Sequence, residues 1–125
     1  MSANIANQIL LLSQEIAGAV TEIGAEYRID FRDGTSRNAT TAEILAATKA
    51  AAISSNRAEC SSRIYARYPA GRQLSASFGL YDSANVAAMT DWIAANISAE
   101  NAAADAIEAA TTVAAVEAVT VAWPV

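Results

Sequence analysis

Isoleucine recurs at positions 9, 16 and 23, one residue in every seven, and Ile5, Leu12 and Ala19 fill the alternate places at spacings of three and four. On a helix this spacing gathers apolar side chains into one seam, the pattern by which helices bundle or supercoil. It predicts a helix from Asn4 to about Gly24, with the glycine closing it. Leu10, Leu11 and Val20 lie outside the seam, so such a helix is apolar on more than one face and does not stand alone in water. It is either buried in its own domain or bundled with copies and partners, and the repeat does not separate the two.

Beyond Gly24 the period changes from helical to two. Tyr27, Ile29 and Phe31 alternate with Arg28, Asp30 and Arg32, and Asp33-Gly34 follows as a turn signal, so residues 25–40 read as a short β-hairpin. An isolated two-stranded ribbon is marginal in water, so its apolar face needs cover, from the chain's own helices or from a partner's strand. Thr40-Thr41-Ala42-Glu43 is a capping box that opens a helix ending near Tyr68, before Pro69. A short amphipathic stretch follows, with Leu74 and Phe78 one turn apart and Gly79 as its stop. A second long helix starts at Asp82 or Ser83, and Thr111-Thr112 marks a break before a short last helix. Val119, Val121 and Trp123 read equally well as helix or strand. The expected fold is therefore mainly α: an oligomerisation-type N-terminal helix over 1–24, the hairpin over 25–40, and a helical domain over 41–125 with two long helices and shorter ones.

Much of the 54% hydrophobic content is alanine, which favours helix but offers little area to bury, and aromatics make up only 6%. Bulky core is scarce, so the apolar side chains of the first two segments are expected at interfaces: Ile5, Ile9, Leu12, Ile16 and Ile23 on the helix, and Tyr27, Ile29 and Phe31 on the ribbon. Net charge is −5, which disfavours nucleic acid and anionic lipid as partners. No apolar run reaches the roughly 20 residues that span a bilayer. Met1-Ser2-Ala3-Asn4 lacks the basic flank of a signal peptide, so none is expected.

Catalytic chemistry finds little to work with. There is no histidine and only one cysteine, which removes the commonest general base and the usual zinc and iron–sulfur ligand sets. The five glycines are scattered, so no phosphate-cradling loop forms. Asp30 and Asp33 flank a turn without the alternating ligands of a calcium loop. Glu100, Asp105 and Glu108 read as a solvated helix face. Neither enzymatic activity nor a cofactor is expected. Cys60 is either a small buried hydrophobe or the thiol of an intermolecular disulfide.

The second half carries a resemblance. Glu59-Cys60 leads into Arg63-Ile64-Tyr65-Ala66-Arg67-Tyr68-Pro69 and Arg72-Gln73, followed by a tryptophan helix, Met89 to Ile97, and an alanine-rich tail ending Val121-Ala122-Trp123-Pro124. This resembles small tailed-phage proteins encoded near tail-fibre and baseplate genes, the tail-fibre assembly and XkdW-like groups. The resemblance covers about half the chain, and the isoleucine-rich first segment falls outside it. It implies a non-catalytic protein of the virion tail, made in the host cytoplasm, whose partners are other fibre or baseplate proteins and further copies of itself. The role it implies is structural attachment or, as the alternative, assistance to fibre assembly as a chaperone.

Overall fold

A computed structural model describes residues 2–12 and 17–125, with side chains described over 5–12 and 18–125. The elements are α1 (Ser2–Leu12), β1 (Ala17–Ile23), β2 (Glu26–Phe31), β3 (Ser36–Asn38), α2 (Thr41–Arg67), α3 (Ala70–Ser77), α4 (Ser83–Ala109) and α5 (Val113–Glu117). The chain is thus mainly helical, with two long helices and one small antiparallel sheet of order β1-β2-β3.

The helix expected to run to Gly24 is described over Ser2–Leu12, and Ala17–Ile23 is a strand. Val20, Thr21 and Ile23 are β-branched and suit a pleated surface, whereas Gly18 weakens a helix interior. The strand gains a ladder on β2, with Val20 opposite Ile29 and Glu22 opposite Tyr27. Gly24 accordingly opens a two-residue hairpin loop at φ +62, the position at which a type II′ turn requires glycine, rather than capping a helix. At Gly18 the register shifts, and a Cβ there would come to 3.4 Å from the Asp30 carbonyl. The seven-residue repeat therefore does not form one seam: Ile9 lies on a helix, Ile23 on a strand, and Ile16 outside the described residues.

The β2–β3 hairpin forms where the alternation places it. Asp33 Oδ1 accepts from the Thr35 amide at 2.9 Å and from its hydroxyl at 2.6 Å, and Gly34 takes φ +91. Those hydrogen bonds hold the Asp33 carboxyl below its ordinary range. Tyr27 and Ile29 turn inward and meet Ile5 and Ile9 of α1 and Ala47 of α2, with Phe31, Val20, Leu10 and Ile44 packed around them. Burial, helped by the nearby Glu22 charge, pushes the Tyr27 phenol up.

Thr40 and Glu43 cap α2 reciprocally, the Glu43 amide donating to Thr40 Oγ1 at 3.1 Å and the Thr40 amide to Glu43 Oε1 at 2.9 Å. Arg37, from β3, closes on the same carboxylate at 2.6 Å, tying the sheet to the helix start. Its hydrogen bond is the main reason why the Glu43 pKa falls to about 2.

From there α2 and α4 run side by side in opposite directions. Lys49 donates to the Glu108 carbonyl at 2.7 Å, Arg57 pairs with Glu100 at 3.5 Å, and Arg67 lies over Trp92, so rising numbers on one helix meet falling numbers on the other. Each has 27 residues, a length of roughly 40 Å. The interface uses small residues, with Ala103 and Ile107 buried, and α5 returns Val116 against it. Asn96 is also fully buried. Its Nδ2 donates to the Trp92 carbonyl at 2.9 Å, while its Oδ1 has no protein partner.

Candidate protein interface

The eight residues expected at interfaces divide between the inside and the surface. Ile5, Ile9, Tyr27 and Ile29 are buried in the chain's own core, so they are closed to a partner. The expectation fails there because α1 and the sheet cover each other: two amphipathic faces read as separately exposed are the two sides of one contact. Phe31 is half-buried at the margin of that core, with the Arg37 guanidinium 5.4 Å from its ring centre. Leu12 and Ile23 are exposed, at 60% and 51%, and Ile16 is outside the described residues.

Cys60 is buried on α2 at 3% exposure. Burial raises its thiol pKa, and a hydrogen bond that the thiol donates to the Glu100 carboxylate, together with that group's charge, pushes the same way. The thiol lies beneath α4, so an intermolecular disulfide would require the helix pair to open. The reading as a small buried hydrophobe is the one the packing supports.

At the far end of the helix pair, cations and rings take over from aliphatic burial. Arg63 and Arg67 are one turn apart on α2. Arg63 lies 4.9 Å from the Trp123 ring centre, and Arg67 lies 4.6 Å from Trp92 and 5.8 Å from Tyr68. Arg72 of α3 approaches the Tyr68 ring at 5.4 Å, and Tyr68 meets Trp92 edge to face at 5.8 Å. The last residues are drawn into this latch: Trp92 Nε1 and the Arg67 guanidinium both donate to the Val125 main-chain oxygen, at 3.1 and 3.3 Å. Each cation–ring contact contributes about 0.5–1 kcal/mol at an exposed site, so the group holds α2, α4 and the terminal segment together without a large apolar core.

Beside the latch, α3 is thinly attached. Only Ala76 of the helix is buried, and Gln73 Nε2 donates to the Tyr68 carbonyl at 2.7 Å. Its C-terminus is a Schellman motif: the Gly79 amide bonds the Ala76 carbonyl and the Leu80 amide that of Ser75, both at 3.1 Å, with Gly79 at φ +76. That motif brings the main chain of Leu80 back toward the last turn of the helix, onto the Ser75 carbonyl. Leu74, Phe78 and Leu80 are exposed at 56%, 71% and 70%, and Tyr81 at 39%. Tyr81 also lines a cleft of about 160 Å³ between α3 and the start of α4, with Tyr68, Arg72, Ala76, Asn85, Val86 and Met89 as its other walls.

Among the described residues no three Asp, Glu or Cys side chains are grouped to hold a metal ion, and no helix is long and apolar enough to cross a membrane. The Leu74–Leu80 patch was not singled out from the sequence as a site. The signal for it was present in Phe78-Gly79-Leu80-Tyr81, where a helix-stopping glycine is bracketed by large apolar residues with no strand pattern to bury them. Comparison with protein-family models, with curated proteins and with solved structures finds nothing that matches this chain.

Proposed function

We propose that the chain is a non-catalytic structural protein of a phage tail that attaches to other tail proteins at the fibre or baseplate. The observation that carries the reading is surface. The accessible area is 7659 Å² for 13.0 kDa, against roughly 6,300 Å² for a compact monomer of that mass. Part of the excess is apolar, including Leu74, Phe78 and Leu80. Isolated apolar side chains on a surface are ordinary, but several along one loosely attached helix and its C-terminal cap mark a contact site. The resemblance of the Glu59–Pro124 stretch to tail-fibre and baseplate-associated proteins supplies the setting.

Mass spectrometry of purified particles tests the proposal. The chain should be retained at a fixed ratio to the fibre or baseplate proteins, and its absence from particles would sink the structural role. The chaperone reading draws on the same exposed patch, since a transient client also needs open apolar surface. It requires that co-expression raise the yield of soluble trimeric fibre, and an unchanged yield with the protein present counts against it.

A further inference from the structure

Three arginines and no carboxylate lie between Ser61 and Tyr81, in a chain whose net charge is −5. Arg63 is paired with Glu59 at 2.9 Å. Among the described residues, neither Arg67 nor Arg72 has a carboxylate side chain within ion-pair distance; the ion pairs present are Arg28–Asp30, Arg37–Glu43, Arg57–Glu100 and Arg63–Glu59. Both guanidiniums are exposed and held against rings, Arg67 on Trp92, with one N–H donated to the Val125 main-chain oxygen, and Arg72 on Tyr68. A stacked guanidinium keeps its edge donors available and loses little freedom when it binds. Arg72 also lines the α3–α4 cleft together with Tyr81, which follows the exposed Phe78 and Leu80 in the chain.

We infer that the α3 patch and its cleft bind a segment of a partner protein in which large apolar side chains are flanked by Asp or Glu. The apolar side chains would cover Phe78 and Leu80 and enter the cleft against Tyr81 and Met89, while the carboxylates meet Arg72 and Arg67. The inference rests on the attachment reading and names the chemistry of the partner. A second copy docking patch to patch would bring like-charged Arg67 and Arg72 together, and the next acid along the chain, Asp82, is already engaged in capping α4 through Asn85. Single-stranded nucleic acid also seeks arginines and rings, but it carries a charge at every phosphate and so meets the field of an acidic chain more strongly than a segment with a few flanking carboxylates.

Fluorescence anisotropy with the full chain and labelled helical peptides of about 15 residues tests this. One peptide carries leucines at i, i+3, i+4 and i+7 flanked by glutamates, the second has lysines in place of the glutamates, and a labelled oligothymidylate is the third probe. The glutamate peptide should bind at least about tenfold tighter than either of the others. Phe78→Ser and Leu80→Ser should each weaken it severalfold or more, and Arg72→Glu should reverse the preference between the two peptides. Both serine positions are exposed, so a circular-dichroism melt superimposable on that of the parent separates lost binding from lost fold. Equal binding of both peptides, tighter binding of the oligonucleotide, or no binding at all would overturn the inference. If the chain is found in particles but shows no acidic preference, only the partner chemistry fails. If it is absent from particles yet prefers the glutamate peptide, the structural reading fails and the docking chemistry stands.

Discussion

Around the sheet, α1, β2 and the start of α2 close on one another until Ile29 has no exposed surface, whereas at the opposite end of the helix pair Phe78 keeps 71% of its own. The first region is held by aliphatic burial from three elements. The second is held by guanidiniums on aromatic rings and by hydrogen bonds to the Val125 main-chain oxygen, which need few buried carbons. An alanine-rich chain cannot build two aliphatic cores. It spends its bulky residues at the sheet end, and the latch end, closed by rings and cations, leaves leucines and a phenylalanine outside.

The sharpest way to break this contrast is at the sheet end. Ile29→Ala should destabilise the fold by about 2–5 kcal/mol, the range for deleting a buried aliphatic side chain. Urea unfolding measures it, and a loss under about 1 kcal/mol would mean that the sheet core is not where stability lies. Trp92→Ala removes the ring under Arg67, the edge of Tyr68 and the bond to Val125 together. The indole is only half-buried, so the expected cost is smaller, about 2–3 kcal/mol from lost area and cation–ring attraction. If Trp92→Ala costs more than Ile29→Ala, the two regions have been ranked wrongly.

The join between sheet and helix gives a smaller, pH-dependent effect. Glu43 caps α2 and pairs with Arg37, and its pKa lies near 2 in the fold against 4.5 ordinarily. A depressed carboxylate contributes stability that is complete above about pH 4.5 and fades as the pH falls toward about 2. Glu43→Ala should therefore cost about 1 kcal/mol at neutral pH, in the range of a lost cap. It should also flatten the acid side of the stability curve between those two values. A variant that keeps the parent's acid dependence would show that the Arg37–Glu43 contact does not form in solution.

Sequence reading succeeded where one local rule decides. The Thr40–Glu43 box, the Asp33-Gly34 turn, the stop before Pro69 and the start of the second long helix at Asp82 or Ser83 each depend on a few adjacent residues, and each stands where the sequence puts it. It failed where the same residues satisfy two periods. Ile9, Ile16 and Ile23 fit a heptad, while Val20, Thr21 and Ile23 equally fit a strand, and pairing with β2 decides between them. Because β1 and α1 come from one apolar stretch, reading it as a single helix also misassigned Ile5, Ile9, Tyr27 and Ile29 as interface. The latch was half legible. The arginines and tyrosine are adjacent in sequence, but Trp92 and Trp123 reach them only through the antiparallel return of α4 and the turn after α5.

The smallest stability effect bears on what the latch end is for. Phe78→Ser and Leu80→Ser remove apolar carbons that already meet solvent, so little transfer free energy changes on unfolding, and each variant should stay within about 0.5 kcal/mol of the parent. The Schellman bonds at Gly79 and Leu80 are made by main-chain atoms and survive both substitutions. A loss of 2 kcal/mol or more would place these side chains inside the fold in solution, with α3 folded down on its own helices. In that case the difference between the two ends would vanish and the surface assigned to a partner would belong to the chain itself. A null result in the same melts, set beside a large cost for Ile29→Ala, leaves Phe78 and Leu80 without a stabilising role, which is what a surface kept open for another protein requires.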